Sequence, residues 1–327
     1  MTRRTLGRSG IEVGAVGLGC WAIGGPFTRS GGDRAEPMGW GRVDDAESIR
    51  AIRRALDLGV TFFDTANNYG AGHSERILGR GLGRRRDEAV IATKFGSVFD
   101  EATRTHYDDR ELPMTPEAIR EACEASLRRL GTDRIDLYLL HRGELEPADV
   151  PAVLDALEEL VAAGLVRWYG WSTDDPEHAR LFAAGRHCTA IEHRMSLSFD
   201  APEMIALCEE LDLAAVVRSP LNSGVLTGKF RPDTTFGPDD GRRGMSFAEG
   251  LGALRLEQIE QVRPHIAGDR RSMAQAALAW ILSRSERTIP IPGFKTVRQV
   301  EELAAAAGHA PLTAAELLAV EQAFGRG

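Results

Sequence analysis

The feature that most constrains the fold is a regular alternation of short apolar runs and longer amphipathic stretches along the 327-residue chain. The apolar runs are four to six residues long, which is typical of buried strands. The stretches between them, such as 44–59 and 115–131, carry apolar residues at helical spacing and begin and end with capping residues. The candidate strands are residues 16–19, 61–64, 90–94, 136–141, 168–172, 190–193, 213–218 and 288–291.

Strands separated by helices indicate a parallel sheet, because parallel neighbours need a crossover connection. Eight such units predict an α/β fold, a (β/α)8 TIM barrel forming one domain over residues 1–327, with an open doubly wound sheet as the alternative. Residues 6–14 predict a β-hairpin ahead of the barrel that closes its lower end. Long loops follow strands 1, 3 and 7, at 24–43, 96–114 and 222–253, on the side where barrel enzymes bind substrates.

The composition excludes several classes of protein. A net charge of −8 gives no electrostatic reason to expect binding to nucleic acid or to an anionic membrane. The polar N-terminal sequence has no signal-peptide core, and no apolar run approaches the roughly 18 residues of a membrane span. Four scattered cysteines without CxxC spacing are typical of reduced thiols, so we expect a cytoplasmic protein. The sequence leaves the oligomeric state open.

Four polar residues are the candidate catalytic groups. Asp64, Lys94 and His141 close the second, third and fourth candidate strands, and Tyr69 follows in the loop NNYG. Adjacent strands of a barrel end on the same rim, so these side chains are expected to meet. A nearby ammonium lowers the pKa of a phenol, and a carboxylate holds that ammonium in place. Tyr69 is therefore the expected general acid toward a carbonyl oxygen, which His141 orients.

The same residues indicate what else the reaction needs. The sequence contains no evident metal cluster or nucleophile–base pair, so a protonated carbonyl needs a hydride from a nicotinamide cofactor. Residues 17–22 (GLGCWA) match a dinucleotide fingerprint, but Gly24, Gly25 and Pro26 follow instead of a helix, so a Rossmann site is rejected. Two alternatives remain: a cofactor-binding sensor or partner subunit on the same barrel, and an aldolase that uses Lys94 as a Schiff-base nucleophile.

The chain resembles the aldo-keto reductase family. The resemblance is carried by GVTFFDTANNYGAGHSERILG (59–79), ATKFG (92–96), DLYLLHR (136–142), SPLNSGVLTGKF (219–230) and IPIPGFK (289–295). It implies a barrel, NADP(H) as cofactor, and reduction of a small aldehyde or ketone by direct hydride transfer. It also implies that Tyr69 is the acid, that Lys94 and Asp64 modulate it, and that His141 is the orienting group. A narrower possibility is a sugar-ketone reductase of a biosynthetic pathway.

The resemblance further implies where the nicotinamide binds. Ser172 and Thr173 occupy the place of a Ser-Asn pair that holds the carboxamide, with Thr173 departing from the pattern. Glu192 stands where the family usually has Gln, and Arg218 stands where an aromatic residue commonly stacks on the ring. Because the sixth and seventh strands are neighbours, we expect Glu192 and Arg218 to pair. Additional cofactor contacts are expected from Cys20, Trp21, Ser219, Leu221 and Ser223.

The other end of the cofactor is expected near the eighth strand. Gly293, Phe294 and Lys295 resemble a phosphate-and-ribose segment, with Gln299 and Glu302 toward the adenine. Lys295 is the expected contact for a 2′-phosphate, which favours NADP over NAD.

The sequence predicts the substrate contacts less specifically than the catalytic and cofactor contacts. Contacts are expected from Trp21, Trp40, Phe95 and Arg142, which combine apolar walls with one charge. The identity of the substrate and the direction of the reaction are not encoded in any pattern that we recognise.

Overall fold

The computed structural model describes residues 2–30, 35–269 and 271–326. Strands β1 (Arg3–Thr5) and β2 (Glu12–Gly14) pair antiparallel and form the predicted N-terminal hairpin. Its turn lies against the start of the sixth barrel strand, where the Thr189 hydroxyl donates to the Leu6 carbonyl at 2.8 Å. Gly7 sits there with φ +51, and a Cβ would overlap the Thr189 carbonyl oxygen. The hairpin therefore closes the lower end of the barrel.

Eight parallel strands form one sheet in chain order, as predicted. The sheet closes on itself, because the amides of Gly17 and Gly19 donate to the carbonyls of Pro290 and Pro292, each at 3.0 Å. A closed (β/α)8 barrel follows, and the open doubly wound alternative is excluded. The barrel strands are β3 (Leu18–Gly19), β6 (Phe62–Asp64), β7 (Val90–Phe95), β10 (Ile135–Leu140), β11 (Val166–Ser172), β12 (Cys188–Arg194), β13 (Ala214–Arg218) and β14 (Thr288–Pro290).

Helices cover the outside of the barrel. The predicted caps are present on α3, where the Thr115 hydroxyl accepts the Ala118 amide and Gly131 ends the helix with φ 66. The helices at 250–266 and 314–323 are additional to the one helix per strand that the sequence pattern predicted. The helices are α1 (Asp45–Asp57), α2 (His73–Leu82), α3 (Pro116–Leu130), α4 (Val150–Ala162), α5 (Pro176–Phe182), α6 (Pro202–Glu210), α7 (Gly250–Ile266), α8 (Met273–Arg284), α9 (Val297–Ala305) and α10 (Ala314–Ala323).

Side chains alternate between the barrel interior and the layer beneath the helices, since successive residues of a strand point to opposite faces. On β7, Val90 and Ala92 belong to the apolar interior cluster, and Lys94 follows two positions later. Phe95 points the other way and stacks on Tyr138 with 4.6 Å between ring centroids. The last inward residue of each strand therefore lies at the upper rim, above a dry apolar interior.

The long loops after the first and third barrel strands contain regular secondary structure. They contribute β4 (Phe27–Ser30), β5 (Glu36–Met38), β8 (Ser97–Asp100) and β9 (Thr105–Glu111) to a four-stranded cap sheet with the order β5-β4-β9-β8. The two loops join where β4 pairs parallel with β9. Residues 31–34 of the first loop lie outside the described residues. The two long loops predicted here are present, and pairing between these distant segments makes them a sheet.

Within the described residues, no helix combines the length and the apolar character needed to cross a bilayer. The same residues contain no group of three or more His, Cys, Asp or Glu side chains placed to hold a metal ion. All four cysteines are buried and unpaired in this part of the chain.

Candidate active site

A cavity of about 810 Å³ opens at the upper rim of the barrel. Its volume lies in the range of small-molecule and cofactor sites, about 300–1,000 Å³. Its lining includes residues expected to bind each end of the cofactor and three of the four candidate catalytic side chains. The expected residues that line it are Asp64, Tyr69, His141, Trp21, Trp40, Arg142, Ser172, Glu192, Arg218, Ser219, Leu221, Ser223, Gly293, Phe294, Lys295 and Gln299.

Lys94 lies beneath the cavity floor and organises the site. Its fully buried ammonium contacts both Asp64 oxygens, at 2.6 and 2.7 Å, and donates to the Thr65 carbonyl at 3.0 Å. It also donates to the Tyr69 hydroxyl at 3.1 Å. An ammonium has three N–H groups, and these acceptors use all of them. Three of the four predicted catalytic side chains are therefore in direct contact.

The loop that carries Tyr69 is held rigidly against the first barrel strand. Gly70 has φ +61, and a Cβ there would overlap the backbone of Gly24. The Ser74 hydroxyl donates to the Cys20 carbonyl at 2.8 Å and contacts the Thr65 hydroxyl at the same distance. These contacts bring the Tyr69 phenol to the cavity surface with its hydroxyl directed toward Lys94.

Burial and charge act in opposite directions on the two central groups. Burial alone would lower the pKa of Lys94, but the carboxylates of Asp64 and Glu192 reverse this and raise it. The ammonium is therefore charged at any physiological pH. Burial also raises the pKa of Tyr69, and this effect outweighs the lowering by Lys94. The predicted direction of the lysine's influence is present, but the predicted net lowering of the phenol pKa is wrong for this arrangement, and the phenol stays protonated.

His141 completes the group from the end of the fourth barrel strand. Its ring lies edge-on to Tyr69, with 6.0 Å between the centroids. Burial, reinforced by the charge of Lys94, lowers the pKa of His141 to about 3. The imidazole is therefore neutral near neutral pH. A neutral imidazole donates one hydrogen bond without adding charge, which suits it to orient a carbonyl oxygen.

Glu192 does not pair with Arg218, and the expectation that it does is corrected. The strand register explains why: Glu192 is opposite Val216, whereas Arg218 is opposite Arg194, two residues further along β12. The Glu192 carboxylate instead reaches across the barrel interior to within 3.1 Å of the Lys94 ammonium. Its other oxygen accepts a hydrogen bond from the Ser172 hydroxyl at 3.2 Å.

Arg218 has a different partner. Its guanidinium donates to Asp174, which also accepts the Arg194 amide at 2.7 Å. The side chain remains about one-third exposed at the cavity wall. The position is compatible with an Arg plane lying against a bound ring, but the charge of Arg218 is balanced outside the barrel interior.

At the far end of the cavity, the groups expected to bind phosphate already have protein partners. The Lys295 ammonium donates to the carbonyls of Trp40 and Arg42, the latter at 3.2 Å. The Gln299 side chain accepts the Lys295 amide at 2.7 Å as part of the cap of α9. The Glu47 carboxylate accepts the next amide of the helix, that of Val297, at 2.9 Å. An anion at this helix start therefore meets a carboxylate as well as a lysine.

Four expected residues lie away from the cavity. Phe95 belongs to the core under the helices, so its expected role as a substrate contact is withdrawn. Cys20 is completely buried, and the Thr173 hydroxyl accepts the Asp175 amide at 3.1 Å in a turn. Glu302 lies 3.7 Å from the Lys229 ammonium. These positions leave Ser172 as the group of the expected Ser-Thr pair that faces the site.

Asn68 and Arg242 are among the polar residues of the cavity wall that the sequence predictions missed. Asn68 donates to the Ser97 hydroxyl at 3.1 Å, and its own carbonyl oxygen has no partner within the described ranges. Its position next to Tyr69 in the NNYG loop was an available signal. Arg242 packs on the Trp40 ring at 4.6 Å and pairs with Asp240 at 2.7 Å. No local pattern in the third long loop singles it out.

The cavity suits a large anionic cofactor. Its lining carries five basic side chains together with the exposed backbone at Gly293, and cations are the preferred partners of phosphate groups. Each of these side chains contacts a neighbouring carboxylate or carbonyl. A bound anion would therefore have to replace that partner. The basic residues of the wall are Arg142, Arg218, Lys229, Arg242 and Lys295.

Comparison with known proteins agrees with this architecture. The chain is 32% identical over 316 residues to the NADH-specific methylglyoxal reductase of Escherichia coli (strain K12), covering 94% of this chain and 93% of that protein. It is 30% identical over 298 residues to the aldo-keto reductase yakc [NADP(+)] of Schizosaccharomyces pombe, covering 89% and 82%. The structure of the glycerol dehydrogenase AKR11B4 from Gluconobacter oxydans superposes with a TM-score of 0.82 at 27% identity, covering 99% and 95%.

The sequence profile of the Aldo/keto reductase family matches residues 15–324, almost the whole chain. The match spans every barrel strand and every residue of the Lys94 network. The chain is therefore a member of the aldo/keto reductase family.

Proposed function

We propose that the protein reduces an aldehyde or ketone to an alcohol, with NADP(H) as cofactor and Tyr69 as the general acid. The observation that carries the proposal is the contact between the Tyr69 hydroxyl and the buried Lys94 ammonium, at 3.1 Å on the floor of the cavity. An ammonium at this position stabilises the phenolate that forms when the phenol gives up its proton.

Each side chain then has a defined part in the reaction. A bound reduced nicotinamide supplies the hydride to the carbonyl carbon. Tyr69 transfers its phenolic proton to the carbonyl oxygen, and the neutral imidazole of His141 holds that oxygen in place. Lys94 stabilises the negative charge left on the phenolate, and Asp64 holds Lys94 in position. General acid catalysis of this kind contributes roughly 10²–10⁴ in rate.

The cofactor assignment is supported from two sides. The relative from Schizosaccharomyces pombe carries NADP(+) in its name, and the five basic side chains of the cavity wall suit phosphate groups. Lys295 and the start of α9 are the groups that would hold the 2′-phosphate. The Escherichia coli relative is named as NADH-specific, and the Glu47 carboxylate at the start of α9 weakens the preference for the phosphorylated form.

A panel of aldehydes and ketones, incubated with NADPH or NADH and followed by cofactor absorbance, tests the proposal. Wild type should turn over at least one carbonyl. The Tyr69→Phe variant keeps the ring and loses the proton, so its turnover should fall by about 10²–10⁴. Its affinity for NADPH, measured by fluorescence titration, should stay within about twofold because the lost hydroxyl bonds to Lys94.

Three outcomes would contradict this function. Tight NADPH binding by wild type without turnover of any carbonyl would favour a cofactor-binding sensor on the same barrel. Substantial turnover by Tyr69→Phe would remove Tyr69 from the acid role. Trapping of a substrate on Lys94 by borohydride would point to the aldolase alternative, which the burial of that ammonium between carboxylates disfavours.

A further inference from the structure

The Lys94 ammonium faces two buried carboxylates. Asp64 approaches it from the second barrel strand, and Glu192 approaches it from the sixth strand on the opposite wall of the barrel. Both carboxylates are about 1% exposed. One ammonium balances only one of them, so a fully ionised cluster would carry an uncompensated negative charge in a dry interior, which is strongly unfavourable.

The hydrogen-bond geometry indicates which carboxyl oxygens bind the proton that neutralises the excess negative charge. The Lys94 N–H groups are used by Asp64, Thr65 and Tyr69, so Glu192 Oε2 meets the ammonium without receiving a proton from it. This oxygen has no donor among the described residues. Asp64 Oδ1 lies 2.6 Å and Glu192 Oε2 lies 3.1 Å from the same ammonium nitrogen, so the two carboxyls are neighbours. A proton held between the two carboxyls satisfies the orphaned oxygen and removes the excess charge.

We propose that Glu192 is a positioning residue of the reductase: it shares one proton with Asp64 above Lys94, and release of that proton at alkaline pH keeps the Tyr69 phenol protonated. This inference rests on the proposed carbonyl reduction and adds to it a reason why reduction extends to alkaline pH. When the shared proton leaves, the cluster gains a negative charge next to the phenol, which opposes formation of the phenolate. The acid form needed for reduction then persists to higher pH.

The carboxyl pair is surrounded by charged and titratable groups from several strands. Lys94 and Arg218 bring positive charge toward Glu192, and His141 is neutral. Burial raises the pKa of Asp64, and the charge of Glu192 raises it further. Burial alone would raise the pKa of Glu192 as well, but the adjacent ammonium lowers it. The titratable and charged groups facing the pair are Cys20, Tyr69, Lys94, His141, His193 and Arg218.

The test uses Glu192→Gln, which keeps the side-chain shape and removes both the charge and the shared proton. Infrared spectroscopy of the cofactor-free protein should show a protonated carboxylic acid band near neutral pH in wild type and lose it in the variant. Tyrosinate formation at Tyr69, obtained by subtracting the titration of Tyr69→Phe, should move to lower pH by about one to two units. The alkaline limb of carbonyl reduction should move with it.

A matched control is Glu158→Gln. Glu158, like Glu192, is a carboxylate that accepts a hydrogen bond from a hydroxyl group, in its case that of Tyr169 at 2.6 Å, but it lies outside the cavity. This variant should leave the titration of Tyr69 and the pH profile of reduction unchanged.

The inference is overturned if Glu192→Gln leaves the acid band and the Tyr69 titration unchanged. It is equally overturned if the variant only weakens cofactor binding by the same factor at every pH, as expected for a contact to the nicotinamide alone. Failure of the wild type to reduce any carbonyl would contradict the proposed function instead. The infrared and tyrosinate measurements need no turnover, so they test the inference separately.

Discussion

Replacing Lys94 by methionine should expose the cost of burying two carboxylates without a cation. The ammonium contacts Asp64 at 2.6 Å and Glu192 at 3.1 Å, and all three side chains are almost completely buried. Removing one partner of a buried ion pair costs about 3–5 kcal/mol, since the remaining charge is left uncompensated. Lys94→Met has a similar chain length, so lost packing contributes little to this loss.

The loss should depend on pH in a defined direction. Without the ammonium, burial holds the pKa values of both carboxyls above their unfolded values, so the folded state binds more protons than the unfolded chain. The free energy of unfolding then falls as the pH rises through that window, by up to about 1.4 kcal/mol per pH unit for each carboxyl. We expect a deficit of about 3–5 kcal/mol near pH 8 and a much smaller deficit near pH 5.

Urea unfolding followed by tryptophan fluorescence at several pH values measures this loss. The control is Lys229→Met: Lys229 is half-exposed and lies 3.7 Å from Glu302, so its removal should cost less than about 1 kcal/mol at every pH. A Lys94→Met protein as stable as wild type near pH 8 would refute the reasoning. A large deficit that does not change with pH would refute the part that concerns the carboxyls.

Three further predictions concern single residues. Glu47→Gln removes the carboxylate at the start of α9 and should raise the affinity for NADPH relative to NADH severalfold in fluorescence titrations; an unchanged ratio would separate Glu47 from the 2′-phosphate. The His141 imidazole should show no titration between about pH 5 and 8 by NMR, because its pKa is lowered to about 3; a transition in that range would contradict a neutral orienting group. Phe95→Ala should cost about 3–5 kcal/mol in unfolding while leaving kcat/KM nearly unchanged, since the ring packs on Tyr138 away from the cavity; a selective loss of activity would return Phe95 to the substrate site.

The catalytic group was predictable because it depends on one simple rule. Strand ends meet on one rim, so Asp64, Lys94 and His141 converge whatever the details of the loops. A second rule, the alternation of side chains along a strand, excludes Phe95 from the substrate site. If the Lys94 side chain points into the barrel, the side chain of the next residue points outward. The two-residue period of this strand is readable from the sequence, so the outward position of Phe95 was predictable.

Other features depend on geometry that a single sequence does not carry. The partner of Glu192 is decided by the width of the barrel interior and by the register of β12 against β13. The partners of Lys295 are backbone carbonyls of a loop about 250 positions away. No local pattern encodes such contacts, so the sequence predicted which residues surround the site but not which of them pair.

The cap sheet has a consequence for engineering the substrate range of the enzyme. Because β4 and β9 pair through Thr28 with Thr105 and Arg29 with His106, the loops after the first and third barrel strands form one transplantable module. Grafting only one of them from a relative would leave the other with an unpaired strand edge, which invites aggregation. Exchanging both loops together preserves the pairing of β4 with β9, while the barrel beneath them stays unchanged.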